Sequence, residues 1–469
     1  MPDFLKNPPR LIRDFPPLPR KLPTITRVNE VFGVSRDLPL NYVERDKVDN
    51  KLFLALEQNH HIVIHGSSKQ GKTCLRKWNI KNRAHAVVAC IEIRTVTELN
   101  AAILKAVGYK VEKSQSVTVS GKHRVTARLD TKIPVLGKEI SGSVGREVEH
   151  GQSQSVTSEP LELDLEDIND MIDALDSVKT RTLIVLEDFH YLPSKVQHSF
   201  SRSLKGYFDY SDHRFVLIGV WLDDNKLLRY NGDLGGRIST VNADKWSRDE
   251  LDRVVSSGEE LIGISFDHDF KNHILDSCLD SVWVVQQACY QACIEQGVIS
   301  DAHEGAVVGS LEHAKKLIDG IVQDQASRAE SFIDSFSAGP TTVLTNIYRW
   351  TIYTVLACDI ARLEGGLSVA EIAEFIGTFG APVDPNLRDL IRELPEISEF
   401  QMHHLEISPI VLDYDFGARR LNVVDRSFLL WLSGQNRVDI LRQAGMPGNS
   451  LRRWQRDVHD MPNSHHKSE

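Results

Sequence analysis

The chain has 469 residues, too many for one ordinary core, and by size it divides into about two to four domains. Hydrophobic residues make up 41% and charged residues 26%, a globular mix that excludes collagen-like, disordered and membrane classes for the whole chain. With 55 Lys and Arg against 65 Asp and Glu the formal charge is −10, so nucleic-acid binding over the whole surface is excluded and only a local basic patch could serve.

No stretch approaches the ~18 apolar residues of a membrane-spanning helix. The N-terminus has no apolar signal-peptide core. Six cysteines are scattered, with no C-x-x-C pair, and read as buried apolar thiols in a cytoplasmic, reduced protein.

Residues 1–27 form a distinct arm. Seven of the eighteen prolines fall there, enough to prevent helix and favour extended chain. Six basic residues face two acids, so the arm is basic. It either lies over the protein's own surface or reaches a subunit or nucleic acid.

Residues 28–245 carry the alternation of apolar runs and helical periods that predicts a parallel sheet covered by helices. His61–His65 reads as a strand, Lys72–Ile80 as the start of a helix, Ala86–Ile93 as a second strand and Thr97–Val107 as a second helix. Between strand and helix lies Gly66-Ser67-Ser68-Lys69-Gln70-Gly71-Lys72-Thr73, which fits G-x-x-x-x-G-K-[ST] at every fixed position. Glycines let the backbone curl, and the curl aims successive N–H groups at phosphate oxygens over a helix N-terminus. Lys72 is placed to reach the β/γ-phosphates, and the Thr73 hydroxyl to ligate Mg2+. Cys74 follows directly and completes the expected nucleotide-binding run.

Residues 111–160 break the rhythm. They contain no aromatic residue, and Val117/Val119 and Val125/Ala127/Leu129 alternate around Ser120-Gly121-Lys122. This predicts a β-hairpin in a β-rich insertion. Helix, strand and helix resume with Leu165–Leu175, Leu183–Leu186 and Ser194–Tyr210, followed by a strand at Arg214–Val220. The apolar strand Leu183–Leu186 runs into Glu187 and Asp188. Beside a P-loop, one such carboxylate orients the Mg2+ shell and one polarises the attacking water. Spacing gives Glu187 the metal side and Asp188 the water, but the order is inverted from the usual Asp-Glu, which leaves the division of roles open.

Residues 246–338 read as an all-helical lid, opened by a Ser247/Glu250 capping box with Trp246 before it as a staple. Residues 339–434 read as a winged-helix-like domain: a helix at Thr345–Arg362, a second opened by a Ser368/Glu371 capping box, a third at Asn386–Leu394, then a hairpin around Phe416-Gly417-Ala418. Residues 435–469 read as a C-terminal tail that ends in polar, frayed sequence.

These motifs together resemble AAA+-type P-loop ATPases, especially their signal-transduction (STAND) and origin-initiator-like relatives. Tyr42-Val43-Glu44-Arg45 resembles the segment that packs near adenine, which implies nucleotide contacts for Tyr42 and Arg45. Phe215–Trp221 resembles the sensor strand, with Asp223, Asp224 or Asn225 as substitutes for its missing polar end. Gly235-Gly236-Arg237-Ile238 resembles the box that carries an arginine finger, which implies that Arg237 reaches a neighbouring subunit's γ-phosphate. The lid segment Ser281–Gln287 lacks the second sensor arginine, which favours the STAND-like branch.

The implied fold is α/β: a parallel-sheet P-loop NTPase core with a β-rich insertion, a helical lid and a C-terminal winged helix. The implied cofactors are ATP and Mg2+, with Lys72, Glu187, Asp188 and Arg237 catalytic and Thr73, Glu187 and Asp188 at the metal. The leading functional reading is a regulatory ATPase, a nucleotide-dependent switch of homo-oligomeric assembly or partner binding. An ATP-dependent DNA-binding protein is the alternative. Residues 340–469 hold 13 basic and 17 acidic residues, and the acidic balance counts against DNA. A nucleotide-stabilised scaffold without hydrolysis is the third reading.

Overall fold

The structure is a computed structural model that describes residues 25–34, 37–112, 124–129, 161–178, 182–303, 305–338, 345–380 and 385–460. The chain lays down β1 (His61–His65) and β2 (His85–Ala89), then a small antiparallel sheet of β3 (Tyr109–Glu112), β4 (Arg124–Leu129) and β5 (Leu161–Asp164). It continues with β6 (Leu183–Glu187), β7 (Arg214–Ile218) and β8 (Ile238–Asn242). The main sheet is parallel in the order β2-β6-β7-β1-β8, so β7 separates the P-loop strand from the strand that ends in Glu187. This is the parallel P-loop NTPase core that the motifs imply.

Alternation along these strands builds the core's two faces. Val63, Ile184, Leu186, Phe215 and Leu217 pack toward the helices Val96–Ala106, Ile168–Asp176 and Ser194–Tyr210. Ile62, Ile64, Val185, Val216 and Ile218 pack the other way, toward Asp46–Glu57 and Lys72–Ile80. A shift of one residue in any strand would exchange the faces, and both are apolar because helices cover both. Strands β1 and β7 are buried along their whole length.

The described part of the insertion is β-structure, as read in the sequence. β4 pairs with β3 from Tyr109 onward and with β5, so the small sheet recruits strands from both ends of the inserted segment. Val117 and Val119 lie outside the described residues, as does the arm up to residue 24.

The lid core gathers the helices Arg248–Ile262, His268–Ser277, Val282–Glu295 and Leu311–Asp324 around a two-stranded sheet of β9 (Ser265–Phe266) and β10 (Val307–Val308). Val28, Val31 and Phe32 belong to this cluster, so the segment read as the start of the ATPase core packs on the lid. The helix Ala326–Ala338 packs in the C-terminal cluster instead, through Phe332 and Phe336.

The C-terminal unit runs helix (Thr345–Ala357), short helix (Ile360–Glu364), β11 (Leu367–Ser368), helices (Val369–Phe379, Leu387–Glu393), then β12 (Leu412–Asp415) and β13 (Arg420–Val423). The strands form an antiparallel sheet in the order β11-β13-β12, and β12 and β13 make the hairpin expected around Phe416-Gly417-Ala418. The single helix expected over Thr345–Arg362 breaks at Cys358–Asp359, where Asp359 adopts extended torsions. The tail carries two helices before residue 461. Helices Arg437–Gln443 and Gly448–Asp460 bury Ile440, Leu441, Leu451 and Trp454 in the same cluster. No described helix is long and apolar enough to cross a membrane.

Candidate functional site

The loop after β1 is held in a shape that most side chains resist. Gly66 has φ 145° and Gly71 has φ 75°, and Lys69 sits in the left-handed region at φ 61°. A Cβ on Gly66 would lie 2.9 Å from the Asp244 backbone nitrogen. Gly71 is the N-cap of the helix Lys72–Ile80 and supplies no capping side chain, so the first-turn amides there are left for a ligand. The Ser67 hydroxyl and both polar atoms of the Gln70 amide are buried without a partner. A curled loop with orphaned buried polar groups fits a phosphate chain.

Lys72 folds back on the loop. Its Nζ donates to the carbonyls of Gly66 (3.0 Å) and Ser67 (2.5 Å). Burial pulls its pKa down to about 8, against the opposing pull of Asp244, Asp188 and Glu187. Thr73 Oγ1 donates to Glu187 Oε2 at 3.3 Å, so the structure brings together the two groups expected at Mg2+. Magnesium suits one hydroxyl, a carboxylate, phosphate oxygens and water, and this pair fits that set. The other Glu187 oxygen is occupied: Arg76 donates to Oε1 from Nε at 3.0 Å and from Nη2 at 2.7 Å. Asp188 follows with φ 58°, a strained torsion for a non-glycine residue. Burial, and then Glu187, raise the Asp188 pKa, and Lys72 opposes them.

Beside the loop is a cavity of about 180 Å3 lined by Tyr42, Arg45, Lys69, Cys74, Trp246 and Trp283 among others. Tyr42 and Arg45 are therefore where the adenine-segment resemblance puts them, but their polar ends are spent on the protein. The Tyr42 hydroxyl donates to Asp49 at 2.7 Å, and its ring stacks on Trp78. Arg45 donates to the Ala243 carbonyl at 3.1 Å and lies over the Trp246 ring at 4.2 Å. Both thus shape the wall, and the apolar character of the cavity comes largely from Trp246, Val282 and Trp283.

Arg237 is not brought to this site. Its carbonyl accepts from His61 N–H at the start of β1, whereas the P-loop follows the other end of that strand. The guanidinium donates to Asp209 (2.9 Å) and to the Asp233 carbonyl (2.6 Å). Any contact with phosphate must come from a second copy. Of the sensor substitutes, Asp223 pairs with Arg229 and Asp224 with His65 at 2.8 Å. The Asn225 N–H donates to Asp223 at 2.9 Å.

Several residues at the site were not read from the sequence. Asp244 accepts from Ser67 N–H at 2.7 Å and from Arg426 at 3.0 Å. Ser68 N–H donates to the Val424 carbonyl at 2.9 Å, and Lys69 Nζ donates to Ser427 Oγ at 3.0 Å. Lys69 also lies 3.7 Å from the Trp283 ring centroid, which ties the lid to the same loop. Arg76, three residues after Thr73, lies on the same helix face, but nothing near it in the chain marks Glu187 as its partner. Asp244 and Arg426 had no local signal either, because they arrive from distant segments.

The core, the P-loop and the acid-ended strand together define a P-loop nucleoside triphosphatase fold. The chain matches no family model and no curated protein. Among solved structures it is similar to the Walker-type ATPase of Pyrococcus abyssi, at 10% identity and a TM-score of 0.47 over 86% of this chain and 99% of that one. It is also similar to the ORC2 protein of Aeropyrum pernix (11%, 0.42, 93% and 100%) and to the ORC1 protein of the same organism, solved in complex with DNA (15%, 0.41, 87% and 97%).

Proposed function

We propose that the chain is a regulatory ATPase in which nucleotide at the P-loop controls how the C-terminal unit sits on the core. The observation that carries this reading is the clasp between the two. Val424 and Ser427 hold Ser68 and Lys69, and Arg426 holds Asp244, which in turn holds Ser67. Three consecutive P-loop residues are thereby tied to three residues of the C-terminal unit, Ser68 and Lys69 directly and Ser67 through Asp244. A phosphate chain that reorders the loop must strain these contacts, and a release of them is a signal at the far end of the chain.

The amides from Gly71 to Cys74 would hold the phosphates, and Lys72 would exchange its two loop carbonyls for phosphate oxygens. The base would enter the tryptophan-lined cavity. Mg2+, when bound, would offset charge on the β/γ oxygens, held by Thr73 and Glu187. Asp188 would orient and deprotonate the attacking water. Arg237 of a second copy would supply the missing positive charge at the γ-phosphate, which makes assembly part of the reading.

Calorimetric titration with ATP tests the site. Lys72→Ala should weaken binding by about 1.5–3 kcal/mol, the value of a hydrogen bond to a charged group, or roughly 10- to 150-fold in Kd. Equal affinity in the two proteins would refute the assignment. Phosphate release should fall in Asp188→Asn; if both proteins are inert, the non-hydrolysing scaffold is correct. DNA binding is not favoured, because Arg392 already donates to Glu393 at 2.6 Å on the helix that would read a groove.

A further inference from the structure

In a P-loop site, a divalent cation offsets the phosphate charge and also satisfies the carboxylate at the end of the acid strand. In this chain the second need is already met. Arg76 is three residues past Thr73 on the P-loop helix, and its side chain is only 3% exposed. It gives two hydrogen bonds to one oxygen of Glu187, whose side chain is 13% exposed. Thr73 takes the other oxygen. Glu187 is therefore fixed in place and its charge is balanced by the Arg76 guanidinium.

We infer that Arg76 is a positioning residue that takes over part of the metal's charge balance, so that this chain binds nucleotide nearly as well without Mg2+ as with it. The inference rests on the reading that the P-loop binds a nucleotide. The sign of the effect follows from the charges. A bare carboxylate at this position repels the phosphates unless a cation stands between them. A carboxylate paired with Arg76 does not, and removal of the metal then costs little. Loss of Arg76 uncovers Glu187 and should create the metal dependence that the native chain lacks. Arg76 also leaves Glu187 one oxygen for Thr73, so its role in orientation and its role in charge can be separated by the variant chosen.

The experiment is calorimetric titration of the full chain with ADP, in Mg2+ and in chelator. The native Kd should change by no more than about threefold between the two conditions. Arg76→Gln should show a loss of about tenfold on chelation, equal to ~1.4 kcal/mol. Arg76→Lys keeps the charge and should restore the native behaviour. The double variant Arg76→Gln, Glu187→Gln removes the repulsion and should also bind without metal. Binding by the native chain only in Mg2+ would leave the nucleotide reading intact and overturn this inference. So would a dependence that Arg76→Gln does not change. Absence of ADP binding in every protein and condition would overturn both. A thermal melt of each variant separates misfolding from these outcomes, and the ratio of the two Kd values within one variant is insensitive to a partial loss of folded protein.

Discussion

Glu371 joins a helix start to the segment before it. One carboxylate oxygen accepts from Ser368 N–H at 2.8 Å and from its hydroxyl at 2.6 Å, and the other accepts from Arg362 Nε at 2.7 Å. Burial works to raise its pKa, but Arg362 and Ser368 outweigh it and hold the group down to about 2. A carboxylate held below its unfolded value stabilises the fold above the ordinary glutamate range. That contribution is lost as pH falls toward about 2. The side chain is 38% exposed, so water screens the pair and a value of about 1 kcal/mol is appropriate. Glu371→Ala should lower stability by that amount at neutral pH. The gap to the native chain should close in acid, as read by urea denaturation over a pH series. The S-x-x-E spacing made the cap legible in the sequence, as G-x-x-x-x-G-K-T made the P-loop legible, because both devices are completed within a few residues. Arg362 and Arg76 were not legible as partners. A lone arginine three places from a motif carries no mark of the carboxylate it will meet.

At the scale of elements, apolar runs gave four strands of the main sheet, β1, β2, β6 and β7, but not the edge strand β8, which is mostly half-buried and carries a weaker signal. The third strand of the small sheet, β5, was not read because it comes from beyond the insertion, and pairing across such a distance has no local signature. The C-terminal helices were not read for another reason. Gly448–Asp460 is polar at most positions, and its buried apolar side chains are Leu451 and Trp454 among the residues with described side chains, beside a buried Ser450. Two apolar residues three apart are enough to seat a helix when the rest of its face is held by other means. Here Arg453 donates to the Phe379 carbonyl at 2.9 Å. Trp454→Ala should cost about 3 kcal/mol, the lower end for a large buried aromatic. Chemical denaturation of the full chain measures it. A change within about 0.5 kcal/mol, ordinary for a surface position, would mean that the helix does not pack where described.

The clasp belongs to the whole molecule. Lys69 and Ser427 are separated by 358 residues, and neither is remarkable in its own segment. The sequence could place a P-loop and a C-terminal unit on one chain, but not one against the other. The clasp is electrostatic at its centre: buried Arg426 lies between Asp244 (3.0 Å) and Glu364 (2.9 Å). Burial pushes the Asp244 pKa up, but Arg426 and Ser67 together hold it below the ordinary aspartate range. Removal of Arg426 leaves Asp244 buried with a P-loop amide as its remaining partner, and breaking one side of a buried pair costs about 3–5 kcal/mol. The cost need not unfold the chain, because the C-terminal unit has its own apolar cluster and can separate from the core instead. Arg426→Ala should therefore act locally. Amide exchange at Ser68, whose N–H is covered by Val424, should speed up by at least about tenfold, as an opening made ~1.4 kcal/mol easier requires. Exchange at Val216 in the buried β7 should stay as in the native chain. Equal acceleration at both positions would mean global destabilisation. Acceleration at neither would mean that Arg426 does not hold the clasp. If ATP added to the native chain reproduces the pattern of Arg426→Ala, the P-loop and the C-terminal unit are coupled as proposed; if Ser68 becomes more protected while Val424 stays covered, nucleotide closes the clasp rather than opening it.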